Sequence, residues 1–119
     1  MFEVKTESHF SAAHHLLNYE GECEHQHGHN WKVEVFARGE NLDKAGILID
    51  FKILKKEVKE VLELLDHKDL NELEYFKDIS PSSEVIARFI YKQLKEKFYT
   101  ITKVSVWETE NSCATYFEE

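Results

Sequence analysis

Histidine is crowded into one stretch of this 119-residue chain, with six of its seven histidines falling between His9 and His29. The stretch reads Phe10-Ser11-Ala12-Ala13-His14-His15-Leu16 and, after a polar loop, Cys23-Glu24-His25-Gln26-His27-Gly28-His29-Asn30. In an extended chain, residues i and i+2 leave the same face roughly 6.5–7 Å apart, so His27 and His29 can converge on one ion. Gly28 removes the side chain between them and lets the backbone bend or approach closely. His14 shares parity with Phe10 and Ala12 and is the best third ligand, with the small Ala12 and Ala13 leaving room beside it. Three neutral imidazoles with one open position form the donor set of a catalytic zinc. Cys23 leaves two readings open. It could close the site as a fourth ligand, or serve as a reactive thiolate stabilised by a nearby cation.

Three further positions carry chemistry. Asp66-His67 fits a helix terminus, with the imidazole on the helix dipole, and equally a pair that tunes the proton affinity of a thiol. Glu108 shares parity with Val104 and Val106, so an apolar strand face ends in a carboxylate. Either the strand has reached solvent, or the carboxylate faces a pocket and accepts N–H groups from a heterocycle. Cys113 has no ionisable cluster around it and reads as core.

The elements that must position these residues follow from periodicity. Residues 2–15 alternate loosely and read as a long first strand. Residues 29–38 form a second strand, with Trp31, Val33, Val35 and Ala37 on one face. Asp50 is placed to cap a helix whose stripe is Phe51, Leu54, Val58, Val61, Leu62 and Leu65. A second helix follows Ser80-Pro81-Ser82-Ser83-Glu84, where proline suits the first turn, with Val85, Ile86, Phe89, Ile90, Leu94 and Phe98 as its stripe. Residues 101–109 and 113–118 read as a hairpin. The expected architecture is α+β in the order β-β-α-α-β-β, a single domain over residues 1–119. Two helices would cover one face of a four-stranded antiparallel sheet. Such a sheet has two free edges, which points to a homo-oligomer.

Composition narrows the class. A formal charge of −8 argues against a nucleic-acid partner, which needs a basic face. The chain has no apolar run long enough for a membrane span. Its first residues lack a signal-peptide pattern, and two cysteines are no disulfide framework, so a cytoplasmic setting is expected.

Over nearly its full length the chain resembles the 6-pyruvoyl-tetrahydropterin synthase family. The resemblance rests on Phe10 to His14, Cys23 to His29, Ile49-Asp50-Phe51, Leu65-Asp66-His67, Pro81-Ser82-Ser83-Glu84 and Glu108-Thr109. It implies the tunnelling fold, in which the sheets of several subunits join into a barrel, here a hexamer of two stacked trimers with active sites between subunits. It further implies that His14, His27 and His29 hold Zn2+, and that Cys23, Asp66 and His67 form a proton-transfer triad. Glu108 would anchor the pterin ring, with Thr109 beside it in the substrate site.

The three residues between Cys23 and His27 and the Ile-Asp-Phe run are similar to the bacterial 6-carboxy-tetrahydropterin synthase branch, which serves queuosine synthesis. Pyruvoyl-forming relatives typically carry a longer insert there, and a folate branch has glutamate in the role of Cys23. His15 departs from the family, where arginine commonly follows the zinc histidine. The implied reaction converts 7,8-dihydroneopterin triphosphate to 6-carboxy-tetrahydropterin, acetaldehyde and triphosphate. The alternatives are a pyruvoyl-forming synthase that stops at triphosphate elimination, and a non-catalytic zinc-binding assembly protein with Cys23 as fourth ligand.

Overall fold

The computed structural model describes residues 1–20 and 24–119. Strands β1 (Phe2–His14) and β2 (His27–Gly39) are followed by helix α1 (Phe51–Glu63) and the two-residue strand β3 (Lys68–Asp69). After two short 3-10 turns come helix α2 (Ser83–Lys95) and the hairpin β4 (Ile101–Thr109) and β5 (Ser112–Phe117). The sheet order is β3-β1-β2-β4-β5, with β3 parallel to β1 and every other pair antiparallel.

The sheet therefore has five strands where the sequence predicts four. The added strand is β3, paired through Lys68 and Asp69 with Ala12 and Ala13. Its cause is the turn at His67, whose left-handed φ of 58° swings the chain off α1, and whose N–H donates to the Ser11 carbonyl at 2.6 Å. A two-residue strand has no periodicity to detect.

Alternation in β2 sorts its side chains cleanly. Trp31, Val33, Val35 and Ala37 are fully buried beneath the helices, against Leu54, Val58 and Leu62 of α1 and Ile86, Ile90 and Leu94 of α2. Each such side chain removed from water contributes about 1.5–3 kcal/mol. Asp50 caps α1 by accepting the Lys52 N–H at 2.8 Å, and Ser82 caps α2 by accepting from Val85 at 3.2 Å. Pro81 thus precedes the cap and does not enter the first turn. Phe51, read above as part of the buried stripe, is 51% exposed because it begins α1 and overhangs the core. Among the described residues no helix is long and apolar enough to cross a membrane.

The sheet's other face carries no helix. There the buried Glu34 carboxylate accepts from Lys5 Nζ at 2.8 Å and from the Trp107 indole N–H. Lys32 lies over Trp107, and Lys103 over Phe36. Burial pushes the Glu34 carboxyl up, but hydrogen bonds from Lys5 and Trp107 outweigh it and hold it below its ordinary value. A group depressed in the folded state stabilises above its unfolded pKa, and that stability is lost as pH falls through the folded value. Glu34→Gln should accordingly cost about 1–2 kcal/mol at pH 7 and progressively less below about pH 4, read by urea unfolding at both ends. An equal cost at pH 7 and pH 2.5 would contradict this account.

Candidate active site

The antiparallel register of β1 and β2 places His14 opposite His27 and Ala12 opposite His29. The three imidazoles therefore share the helix-facing side of the sheet, at the end where Trp31 closes the core. Ring centroids are 4.7 Å apart for His14 and His27, 4.8 Å for His27 and His29, and 5.5 Å for His14 and His29. Trp31 packs edge-on against both His14 and His29 and donates its indole N–H to the Ala12 carbonyl at 3.2 Å.

A fourth group joins them. Glu108 Oε1 lies 3.0 Å from His14 Nε2 and 3.5 Å from His29 Nε2. One ligand atom from each of the four residues falls within 4.8 Å of the others. Glu108 continues the β4 face of Val104 and Val106, and it sits where the β4–β5 register shifts between Trp107 and Thr109.

His14 Nε2 and His29 Nε2 are buried and, although the Glu108 carboxylate lies beside them, neither makes a well-formed hydrogen bond among the described residues. An unsatisfied buried polar atom costs about 1–3 kcal/mol, so both atoms require a partner. The other ring nitrogens explain what kind. His14 Nδ1 donates to the Pro81 carbonyl at 2.8 Å, and His27 Nδ1 to the His25 carbonyl at 2.8 Å. Both rings are thereby set to present an Nε2 lone pair, the arrangement of a metal-ligating histidine. Burial pushes the His29 imidazole down; Glu108 opposes this, while the His27 and His14 rings add to it. A neutral ring is the form that binds a cation. The donor set fits zinc: three borderline nitrogens and a carboxylate within bonding reach.

Asp66 and His67 form a separate pair on the outer side of β1. Asp66 Oδ1 accepts the Ser11 N–H at 2.9 Å and lies 3.0 Å from His67 Nδ1. The Ser11 N–H holds the Asp66 carboxyl low against its desolvation, and His67 lowers it further. The His67 side chain is 82% exposed. Neither residue belongs to the four-residue cluster. Cys23 lies outside the described residues.

A sequence model of the family described as 6-pyruvoyl tetrahydropterin synthase matches residues 3–119. The 6-carboxy-5,6,7,8-tetrahydropterin synthase of Haemophilus influenzae is 32% identical over 99% of this chain and all of its own length. Human 6-pyruvoyl tetrahydrobiopterin synthase is 33% identical, covering 90% of this chain and 85% of its own. The solved structure of Caenorhabditis elegans 6-pyruvoyl tetrahydropterin synthase superposes with a TM-score of 0.87 at 29% identity, over 99% of this chain and 96% of that one. The chain belongs to the 6-pyruvoyl tetrahydropterin synthase family. It is a pterin synthase, an enzyme of the lyase class, and its α+β architecture is the tunnelling fold.

Within this synthase, several expectations need correction. Gly28 is not required by a close approach, because an added Cβ would meet only the Ala12 carbonyl at 3.8 Å, an ordinary contact. Cys113 is exposed and not in the core, since it pairs with Trp107 on the helix-free side of an edge strand. Thr109 Oγ1 accepts the Asn111 N–H at 3.3 Å, which gives it a part in the hairpin turn. Sequence reasoning left Glu108 between solvent and a pocket, with the pterin role implied only by the resemblance, and missed its contact with the histidines. The available signal was that its parity with Val104 and Val106 sets it on the face of Trp31 and His29.

His67 carries a testable cost. A non-glycine residue in the left-handed region pays roughly 1–2 kcal/mol of backbone strain, which glycine escapes. His67→Gly should unfold at an unchanged or higher temperature while losing turnover. A clear drop in the unfolding midpoint would show that the imidazole is kept for stability.

Proposed function

We propose that this synthase is a zinc-dependent 6-carboxy-5,6,7,8-tetrahydropterin synthase. In this reading it converts 7,8-dihydroneopterin triphosphate to 6-carboxy-tetrahydropterin, acetaldehyde and triphosphate on the route to queuosine, in the cytoplasm. The observation that carries the reading is the convergence of His14, His27 and His29, two of them with unsatisfied buried Nε2 atoms, inside a pterin-synthase fold. The carboxy-forming branch is favoured by the three-residue spacing from Cys23 to His27 and by curated relatives of that name at 32–34% identity.

His14, His27 and His29 would hold the ion, which supplies a Lewis acid for the side-chain oxygens of the substrate. The chain's own groups do the rest. Cys23 as thiolate takes and returns the proton on the acidified carbon, and Asp66 and His67 set its charge state. Glu108 turns from the histidines to accept the ring N–H groups of the pterin as charge-assisted hydrogen bonds. The exposed position of His67 and the largely unpaired outer edge of β1 support assembly, with the pair serving a site on a neighbouring subunit of a homohexamer.

Human pyruvoyl-forming synthase is as similar as the carboxy-forming relatives, so the sister activity is the second reading. Incubation with 7,8-dihydroneopterin triphosphate and mass spectrometry of the products separates the two. Acetaldehyde and a 6-carboxy product support the proposal; a 6-pyruvoyl product without acetaldehyde overturns it.

A further inference from the structure

Strand β1 ends at His14, and among the described residues no strand of the sheet pairs with residues 15–17 on the outer side. Its polar groups are nonetheless paired, through side chains. Asn71 accepts the His15 N–H at 2.9 Å through Oδ1 and donates Nδ2 to the His15 carbonyl at 3.0 Å. Ser80 Oγ accepts the Leu17 N–H at 2.7 Å and donates to the Leu17 carbonyl at 3.3 Å. Each side chain thus supplies the one donor and one acceptor that a facing strand residue would offer. The two clamps continue the pairing begun by β3 at Ala12 and Ala13.

Pro81 is the residue after Ser80, and its buried carbonyl accepts the His14 Nδ1–H at 2.8 Å. A backbone carbonyl can hold an imidazole only if its own peptide is held. Ser82 beyond that peptide caps α2, and Ser80 before it is bonded to Leu17, three residues along the chain from His14, so the peptide is held from both sides.

We propose that Ser80 and Asn71 are positioning residues of the metal centre. They lock residues 71–81 onto residues 15–17, and so keep the Pro81 carbonyl on His14 Nδ1 and His14 Nε2 turned toward the ion. The inference rests on the three-histidine metal reading for its consequence, though the clamp itself does not require the ion. Loss of such outer partners typically weakens metal affinity 10–100-fold.

The test uses the full-length protein. Ser80→Ala, Asn71→Asp and Ser80→Thr are compared with Leu94→Ala, a fully buried core residue of α2 outside the site. Zinc affinity is measured by chelator competition, thermal unfolding on the metal-free proteins, and the His14 tautomer by nitrogen NMR without metal. The expected result is a fixed Nδ1–H tautomer in the unmodified protein that averages in Ser80→Ala, with zinc affinity at least about tenfold weaker. Asn71→Asp, which keeps the acceptor and loses the donor, should fall between, and Ser80→Thr should restore both readouts. Leu94→Ala should lower the unfolding midpoint and leave affinity unchanged. An unaltered tautomer in Ser80→Ala, or affinity losses that track the unfolding midpoint in Ser80→Ala and Leu94→Ala alike, would overturn the inference. A tautomer that loosens in Ser80→Ala while the unmodified protein takes up no zinc would instead overturn the metal reading and keep the clamp.

Discussion

His29→Ala is expected to leave a folded protein that no longer retains zinc, with turnover reduced at least about a thousandfold. Trp31 loses one edge contact, but the sheet and helices also pack through Val33, Leu54 and Ile90, away from the imidazole, so the fold should survive. The ion contributes several kcal/mol to the barrier, at 1.36 kcal/mol for each factor of ten. A thermal readout is independent of activity. At free zinc a thousandfold above Kd, binding adds about 4 kcal/mol to the unmodified protein. For a chain of this size that raises the unfolding midpoint on the order of 10–20 °C. His29→Ala should show almost none of this rise. Full zinc occupancy in His29→Ala and in His27→Ala would remove the metal assignment.

Cys23→Ala is the complementary case: zinc content should be unchanged while turnover falls at least about a hundredfold, as for a positioned acid–base group. If both serve one proton transfer, as proposed, His67→Ala should act similarly, and the pair combined should lose much less than the product of the two losses. Zinc lost in step with activity in Cys23→Ala would make the thiol a ligand. Glu108→Gln decides a question that the geometry raises. With its carboxylate 3.0 Å from His14 Nε2, Glu108 is within reach of both the ion and a bound ring. If it anchors the pterin, Glu108→Gln keeps zinc, and KM rises along with the fall in kcat. If it is a fourth ligand, zinc affinity falls with the carboxylate charge.

The contrast between these residues explains what the sequence could disclose. His14, His27 and His29 were legible because period two fixes a face, and one antiparallel register then brings two faces together. The helices were legible from their stripes and, for α1, from Asp50 at its start; for α2 the sequence suggested proline in the first turn, where Ser82 is in fact the cap. Phe51 went wrong because a stripe assigns a side without saying whether anything covers it, and Cys113 because a missing ionisable cluster does not imply burial: it lies on the helix-free side of an edge strand. The contact of Glu108 with the histidines depends on the β2–β4 register, a long-range fact. Strand β3 and the clamps of Asn71 and Ser80 depend on the left-handed turn at His67, which a histidine does not advertise as glycine would.

Where the chain leaves β1, the Glu24 N–H donates to the Leu16 carbonyl at 3.0 Å, and the Glu24 carboxylate accepts the Leu16 N–H at 3.1 Å. This crossing closes the base of the excursion between His14 and His27. Residues 18–23 can therefore change in number without transmitting the change to His14 or His27. Doubling such a loop costs only about 0.6 kcal/mol of closure entropy. If Cys23 moves the proton and the histidines hold the ion, as proposed, that segment is an exchangeable cartridge: the proton-moving residue could be swapped while the histidines stay in register.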